Sequence, residues 1–218
     1  TATANQPYLS LFESLIEREF PCVALDESFR LHRTIAEFLR DNIYDRDGIP
    51  FFSKRREVLV QPPITNPYVD QALDPDYPIV VIEHGEQHSQ QYNEMELELI
   101  RPLVDVCANR LRLDGRDGIG VVVPHRAQKA KLRESFPDLA VTESIDTVER
   151  FQGGERDVII VSATASDPDY VLAEASFLLD LNRLNVAISR PRKKLIVVAS
   201  RSVVDLLTSD LEIFDNAV

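Results

Sequence analysis

Four groups of polar residues stand at the ends of apolar runs, and each has a composition suited to holding an anion. The first is Thr147-Val148-Glu149-Arg150-Phe151-Gln152-Gly153-Gly154-Glu155-Arg156-Asp157, which leads into the β-branched run Val158-Ile159-Ile160-Val161. Paired glycines permit backbone angles closed to other residues, so N–H groups near Gly153 and Gly154 can approach a phosphate closely. Gln152 offers a donor and an acceptor, and Glu155 can accept from a ribose hydroxyl. The same residues also suit an ordinary β-turn with a charged rim. The second group is Asn182 to Arg192. On a helix, Arg183, Ala187 and Arg190 fall on one stripe, with Asn185, Ser189 and Arg192 off it. Guanidinium groups on such a stripe can meet a triphosphate bidentately. An arginine that reaches a transferring γ-phosphate contributes roughly a thousandfold or more in rate. The competing reading is a basic helix face that is solvated or paired with acids.

The third group, Glu27-Ser28-Phe29-Arg30-Leu31-His32, is expected to follow a strand and open a helix, where free N–H groups bind anions and Ser28 would serve as N-cap. The fourth, Val123-Pro124-His125-Arg126-Ala127-Gln128, lies at another strand-to-helix junction. A lone His or Gln there is more often a cap or a surface residue than a ligand.

The elements that must position these groups follow from hydrophobic periodicity. Leu9, Phe12, Leu15 and Ile16 repeat at helical spacing, Cys22 to Leu25 reads as a strand, and Leu31, Ile35, Phe38 and Leu39 mark a helix to about Tyr44. Residues 44–78, with Asp47-Gly48, Pro62-Pro63, Asn66-Pro67 and Asp76-Tyr77-Pro78, form a loop-rich excursion with a short strand at Val58-Leu59-Val60. Pro78 to Ile82 and Ile119 to Val123 read as buried strands, and Val141 to Ile145 as a short one. Residues 92–112 are helical in pattern, and Pro102 predicts a kink or two abutting helices. A helix is expected from Arg126 to Ser135. Val158 to Ala163 and Leu195 to Ala199 are continuous apolar runs that suit a sheet covered on both faces. Strands alternating with helices give an α/β domain with a mainly parallel central sheet, in which functional groups are expected at the carboxyl ends of the strands.

At 218 residues the chain is expected to form one domain, 1–218, and 44% apolar residues make it globular. No run has the length or apolarity to span a membrane. Cys22 and Cys107 form no ligand cluster and the four histidines are scattered, so neither a disulfide nor a metal site is expected, and the cysteines suit a reducing cytoplasm. The net charge of −12, with only five lysines, argues by itself against a nucleic-acid binder and is compatible with a salt-rich cytoplasm. A strand-gripping domain of this charge needs a locally neutral or basic groove, expected near Thr147 and His125. The chain begins Thr1-Ala2-Thr3, which suggests a processed chain or part of a larger one.

Taken together, the four groups resemble the second RecA-like domain of superfamily-1 helicases, most closely the Upf-like branch. Thr147 to Asp157 and Asn182 to Arg192 are similar to motifs V and VI. Ser28-Phe29-Arg30-Leu31-His32 resembles the Gln-Tyr-Arg-Met-His of motif IV, and Leu11-Phe12-Glu13-Ser14-Leu15 the segment after motif III. Asn93-Glu94-Met95-Glu96 is similar to an Asn-x-Glu-Ala helix start, and Val123 to Gln128 to a Thr-Pro-Tyr-x-x-Gln segment. The chain departs from the pattern at Ser28, Gly154, Pro191 and Arg33, where Gln, Arg, Ala and Pro are usual.

The resemblance implies a three-layer RecA-like fold. It implies Arg190 as the arginine finger, Arg30 as a second arginine on the γ-phosphate, Gly153 beside that phosphate, and Glu155 on the ribose. Gln152 would couple nucleotide to nucleic acid, and Arg183 would support motif VI. Thr147 would touch the nucleic-acid backbone, with His125 nearby. The implied cofactor is ATP with Mg²⁺. The implied partners are single-stranded DNA or RNA and an N-terminal RecA-like domain of the same protein.

No Gly-x-x-x-x-Gly-Lys-Ser/Thr occurs in the chain, so a triphosphate cradle is missing. The expectation is the C-terminal motor domain of an ATP-dependent helicase, inactive alone. Its rival is a non-catalytic RecA-like interaction module that has lost the motor. A free-standing nucleotide binder of another family would need a phosphate loop of its own.

Overall fold

The structure, a computed structural model, describes residues 15, 18, 20–21, 23, 26–45, 48–60, 66–151, 154–178 and 181–207, with the backbone alone at 181–184. The expected first helix lies outside the described residues apart from Leu15, and of the expected strand Cys22 to Leu25 only Val23 is described. The elements in order are β1 Glu27–Ser28, α1 Arg33–Leu39 running into a wider π-helical turn Arg40–Tyr44, β2 Phe52–Ser53, α2 Pro67–Ala72, β3 Ile79–His84, α3 Glu94–Asn109 and β4 Ile119–Val123. They continue as α4 Arg126–Ser135, α5 Pro137–Val141, β5 Ile145–Thr147, β6 Arg156–Ser162, α6 Pro168–Ala173, α7 Ala175–Leu178, α8 Leu181–Ile188, β7 Pro191–Ser200 and a helix α9 over residues 201–207.

Five strands form one all-parallel sheet in the order β3-β7-β6-β4-β5, while β1 and β2 pair separately. A parallel sheet needs a crossover between strands, and the helices that make them cover both faces. Strand alternation sorts the side chains accordingly. Ile119, Val121, Val123, Val158, Ile160, Ile196 and Val198 face one core with Leu97, Ile100, Leu103 and Val104 of α3 and Leu132 of α4. Val122, Ile159 and Leu195 face the other, against Leu31 before α1, Ile35 and Leu39 of α1 and Ala187 of α8. Full burial of such side chains contributes about 1.5–3 kcal/mol each. The β4 connection leads outward to β5 and the β6 connection leads the other way to β7, so a crevice opens above the carboxyl ends of β4 and β6.

Several local expectations are corrected. Pro102 does not break α3, which runs unbroken from Glu94 to Asn109. Its missing donor falls on the outer side, opposite the exposed Glu98, while buried Leu97, Ile100 and Leu103 hold the turns around it. Asn66-Pro67 starts a helix instead of a loop: Asn66 Oδ1 accepts from Tyr68 N at 3.1 Å, and Pro67 takes the first helical position. Val58 to Val60 form no strand, and the short strand of this region is β2. Val141 ends α5 and is exposed, so the strand placed there begins only at Ile145. His32, not Ser28, caps α1, its Nδ1 accepting from Thr34 N at 3.2 Å.

Burial also orders polar groups. The Lys194 ammonium lies inside and donates to the carbonyls of Asp74 (2.7 Å) and Tyr77 (2.6 Å), which fastens the end of α2 to β7. Desolvation lowers its pKa to about 8. Burial likewise pushes the Cys107 thiol up to about 12, as befits an inert core residue.

Gly120 in β4 is set by close approach: a Cβ there would lie 2.5 Å from the Phe151 ring, on the segment returning from β5 to β6. Gly120→Ala is expected to cost about 1–3 kcal/mol through overpacking. Urea denaturation should show the loss, and Phe151→Leu in the same chain should recover part of it. Full additivity of the two changes would contradict the contact.

Candidate functional site

The first cluster forms at the amino edge of the sheet. Ser28 Oγ accepts from the N–H groups of Arg30 and Leu31 at 3.3 Å each, tightening the turn after β1, and Leu31 is fully buried. Ser53 Oγ donates to Leu31 O at 2.7 Å, and Arg55 Nη1 to Arg30 O at 3.3 Å. With its backbone fixed on both sides, Arg30 sends Nη1 to Glu155 Oε1 at 2.8 Å. Glu155 immediately precedes β6 and Arg190 immediately precedes β7. These strands are neighbours, and Arg156 N donates to Arg190 O at 3.3 Å. A bulge at the start of β7 shifts the register between the Arg156–Pro191 and Val158–Lys194 pairs; such bulges re-aim side chains at a sheet rim. Beside it Asp157 accepts from Arg192 Nε (2.8 Å) and Lys193 Nζ (3.0 Å).

Arg190 lies beyond the end of α8, not on its stripe, because the helix stops at Ile188 and Pro191 opens the strand. Its Nε reaches back to Val186 O at 2.9 Å, a cation on the carbonyl end of a helix. Burial lowers the Arg190 pKa, the nearby charge of Arg30 lowers it further, and Glu155 opposes both. Arg30 thus binds the Glu155 carboxylate directly, and Arg190 lies near enough to feel the charge of both. Among the described residues, buried Arg30 Nε has no acceptor. Such a rim suits a multiply charged anion better than a single carboxylate.

The second cluster lies at the other end of the sheet, so the expectation that all groups gather at the carboxyl ends is corrected: they divide between the two edges. Here an open groove of about 970 Å³ runs past the ends of β4 and β5. Arg126, Lys129 and Arg133 of α4 form one wall at spacings of three and four, Arg150 stands on the segment after β5, and among the described residues Glu149 is the one carboxylate of the lining. The groove is thus cationic on a chain of net charge −12. Lys129 is tied to Asp146 at 2.6 Å. Thr147 lies in the lining but is 8% exposed, and His125 is 9% exposed. The His125 ring stacks on Phe177 (centroids 5.5 Å, 28° between planes) and meets Tyr170 at 6.1 Å. Its reach into the groove is largely through Phe177, which also lines it.

Behind the groove lies a buried polar knot. Glu96, fully buried in the first turn of α3, accepts from Ser162 Oγ (2.5 Å) and from Thr164 N (2.9 and 3.0 Å), and pairs with His84 Nε2 at 3.3 Å. Gln128, also fully buried, accepts from Asn93 N at 3.0 Å and donates to Ser162 Oγ at 3.1 Å. Thr164 holds a left-handed φ of +70°, which these bonds secure. Gln128 is thus a brace, neither cap nor surface residue.

Of the residues singled out in the sequence, Arg30, Glu155 and Arg190 come together at one edge, and Thr147 and His125 at the other. Gln152 and Gly153 lie outside the described residues, as does the Arg183 side chain, whose backbone is in α8. Arg55, Arg126, Arg133, Arg150 and Phe177 were not anticipated. The spacing of Arg126, Lys129 and Arg133 was the signal available for the cationic wall.

An all-parallel sheet with helices on both faces, carrying paired arginines at one rim, defines a RecA-like α/β domain. A family model described as an AAA domain matches residues 8–202, and the chain belongs to that family. Among curated proteins it is 27% identical over 217 residues to the DNA polymerase alpha-associated DNA helicase A of Schizosaccharomyces pombe, covering 92% of this chain and 32% of that protein. It is 31% identical over 202 residues to the helicase sen1 of the same organism, covering 86% and 11%. It is 28% identical over 211 residues to the DNA replication ATP-dependent helicase/nuclease JHS1 of Arabidopsis thaliana, covering 92% and 16%. The chain is a superfamily-1 helicase RecA-like domain of the Upf-like branch, and it spans about a third or less of these relatives. Among the described residues no helix is long and apolar enough to cross a membrane.

Desolvation raises the Glu96 pKa, with His84 the titratable group bonded to it. A carboxyl whose folded pKa is raised contributes stability present in full below its unfolded pKa of about 4.3 and lost as pH rises through the folded value. Wild-type stability relative to Glu96→Gln is therefore expected to fall as pH rises from about 4 toward neutrality. Urea midpoints of both proteins across that range test this, and a constant difference would show that the carboxyl is not displaced.

Proposed function

We propose that this chain is the C-terminal motor domain of an ATP-dependent DNA or RNA helicase, contributing arginines to a nucleotide held mainly by another domain and part of the grip on a single strand. The observation that carries this reading is that Arg30, bonded to Glu155, and Arg190, from a segment 160 residues away in sequence, stand at the same amino edge of β6 and β7, where Arg156 N donates to Arg190 O. In the closed motor this rim faces the partner domain. Arg190 would serve as the arginine finger, Arg30 as the second cation on the terminal phosphate, and Glu155 as an acceptor for the ribose hydroxyls. The residues fit the terminal phosphates of ATP, which supplies the free energy of hydrolysis. The phosphate loop and the Mg²⁺ carboxylates belong to the other domain, since this sequence has no Gly-x-x-x-x-Gly-Lys-Ser/Thr. The cationic groove at the opposite edge supports the strand grip and weighs against a module that has lost its motor.

The chain alone is expected to hydrolyse no ATP. In a protein that joins it to a phosphate-loop domain, Arg190→Ala should lower ATP turnover by roughly a thousandfold or more. Binding of ATP should be nearly unchanged by equilibrium titration. Normal turnover in that variant would remove the finger assignment.

A further inference from the structure

We propose that Asp157 is a positioning residue for Arg190: its carboxylate pins the bulge at the start of β7 and thereby sets where the Arg190 guanidinium stands. This rests on the reading of Arg190 as the arginine finger and adds the group that aims it. Arg156 pairs with Pro191 and Val158 with Lys194, so one residue of β6, Asp157, stands opposite two of β7, Arg192 and Lys193. Successive side chains of a regular strand point to opposite faces. Here both reach the same carboxylate, Arg192 Nε at Oδ1 (2.8 Å) and Lys193 Nζ at Oδ2 (3.0 Å). The extra residue of a bulge bends and twists the strand, which permits this. Each oxygen of Asp157 thus holds one of the two residues that the bulge displaces.

Asp157 is itself anchored from the other side. Its N–H donates to Asp117 O at 2.9 Å and that of Val158 to Gly118 O at 2.9 Å, on the turn that leads into β4. Arg192 Nη2 reaches across β6 to the same Asp117 O at 2.6 Å. The Asp157 side chain is 17% exposed and those of Arg192 and Lys193 24% each, so solvent screens these charges less than it would at an open surface. Glu57 is close enough to feel Lys193 and Asp157, but its carboxylate is bound to Arg55 at 2.6 Å. The constraint passes to Arg190 through a single residue. Pro191 has its φ fixed by its ring and disfavours the helical region for Arg190 before it. Arg190 O accepts from Arg156 N at 3.3 Å, and Arg190 Nε donates to Val186 O at 2.9 Å. Arg190 is therefore held between the end of α8 and a strand start whose register Asp157 fixes.

The test has two readouts. In the full 218-residue chain, NMR follows the Nε–H signal of Arg190 and its rate of exchange with water. Asp157→Asn, which keeps the size of the side chain and removes its charge, is expected to speed that exchange roughly tenfold, the scale of one weakened hydrogen bond. Arg192→Ala with Lys193→Ala, which leaves Asp157 in place, is expected to do the same. In a protein that joins the chain to a phosphate-loop domain, both variants are expected to lower kcat for ATP roughly a hundredfold with KM unchanged, the effect of displacing a reacting geometry by about an ångström. Neither should lower turnover further once Arg190 is replaced by Ala. A wild-type exchange rate in either variant, or a loss of turnover carried by KM, would overturn the positioning role and leave the finger standing. Normal turnover in Arg190→Ala would overturn the finger and its positioning together, whatever the exchange rates.

Discussion

The arrangement of the carboxyl edge depends on one buried carboxylate. Glu96 has no water to solvate it, so its lone pairs are met by Ser162 Oγ, the N–H of Thr164 and His84. Those partners come from the ends of β6 and β3, and Gln128 extends the same knot to α4. A carboxylate in such a place is costly unless every bond is made, and the loops that supply the bonds are fixed as a consequence. The α4 wall of the groove and the exit of β6 therefore hold one relative position. The groove past the ends of β4 and β5 runs along that α4 wall.

The two functional clusters sit at opposite ends of the strands. β6 spans seven residues, about 3.3 Å each, so roughly 20 Å separates its ends. One stretch of chain nevertheless reaches both. The chain leaves β5 beside Thr147 in the groove and enters β6 just after Glu155, which holds Arg30. Phe151, within this stretch, packs under β4 against Gly120.

Charge is divided in the same way. The chain is strongly acidic, yet both candidate clusters are rich in arginine. At the amino edge Glu155 offsets part of the repulsion between Arg30 and Arg190. At the carboxyl edge Lys129 is neutralised by Asp146, and the other cations define the groove. Net charge alone does not describe this surface, because the cations gather in the groove lining.

The sequence by itself determined the alternation of strands and helices, because β-branched runs such as Val158 to Val161 and the 3.6-residue pattern of α3 are local properties. It also singled out Arg30, Glu155 and Arg190 as candidates, since their types and flanking motifs carry the resemblance. It did not determine that Arg190 stands off its helix, which follows from the early stop at Ile188 and the bulge in β7. Nor did it determine that Gln128 is a brace or that Pro102 leaves α3 unbroken, because both depend on what packs against them. Which edge of the sheet each cluster occupies was decided only by strand order. Pairings between residues far apart in the chain are set by tertiary burial and leave no mark in the local pattern.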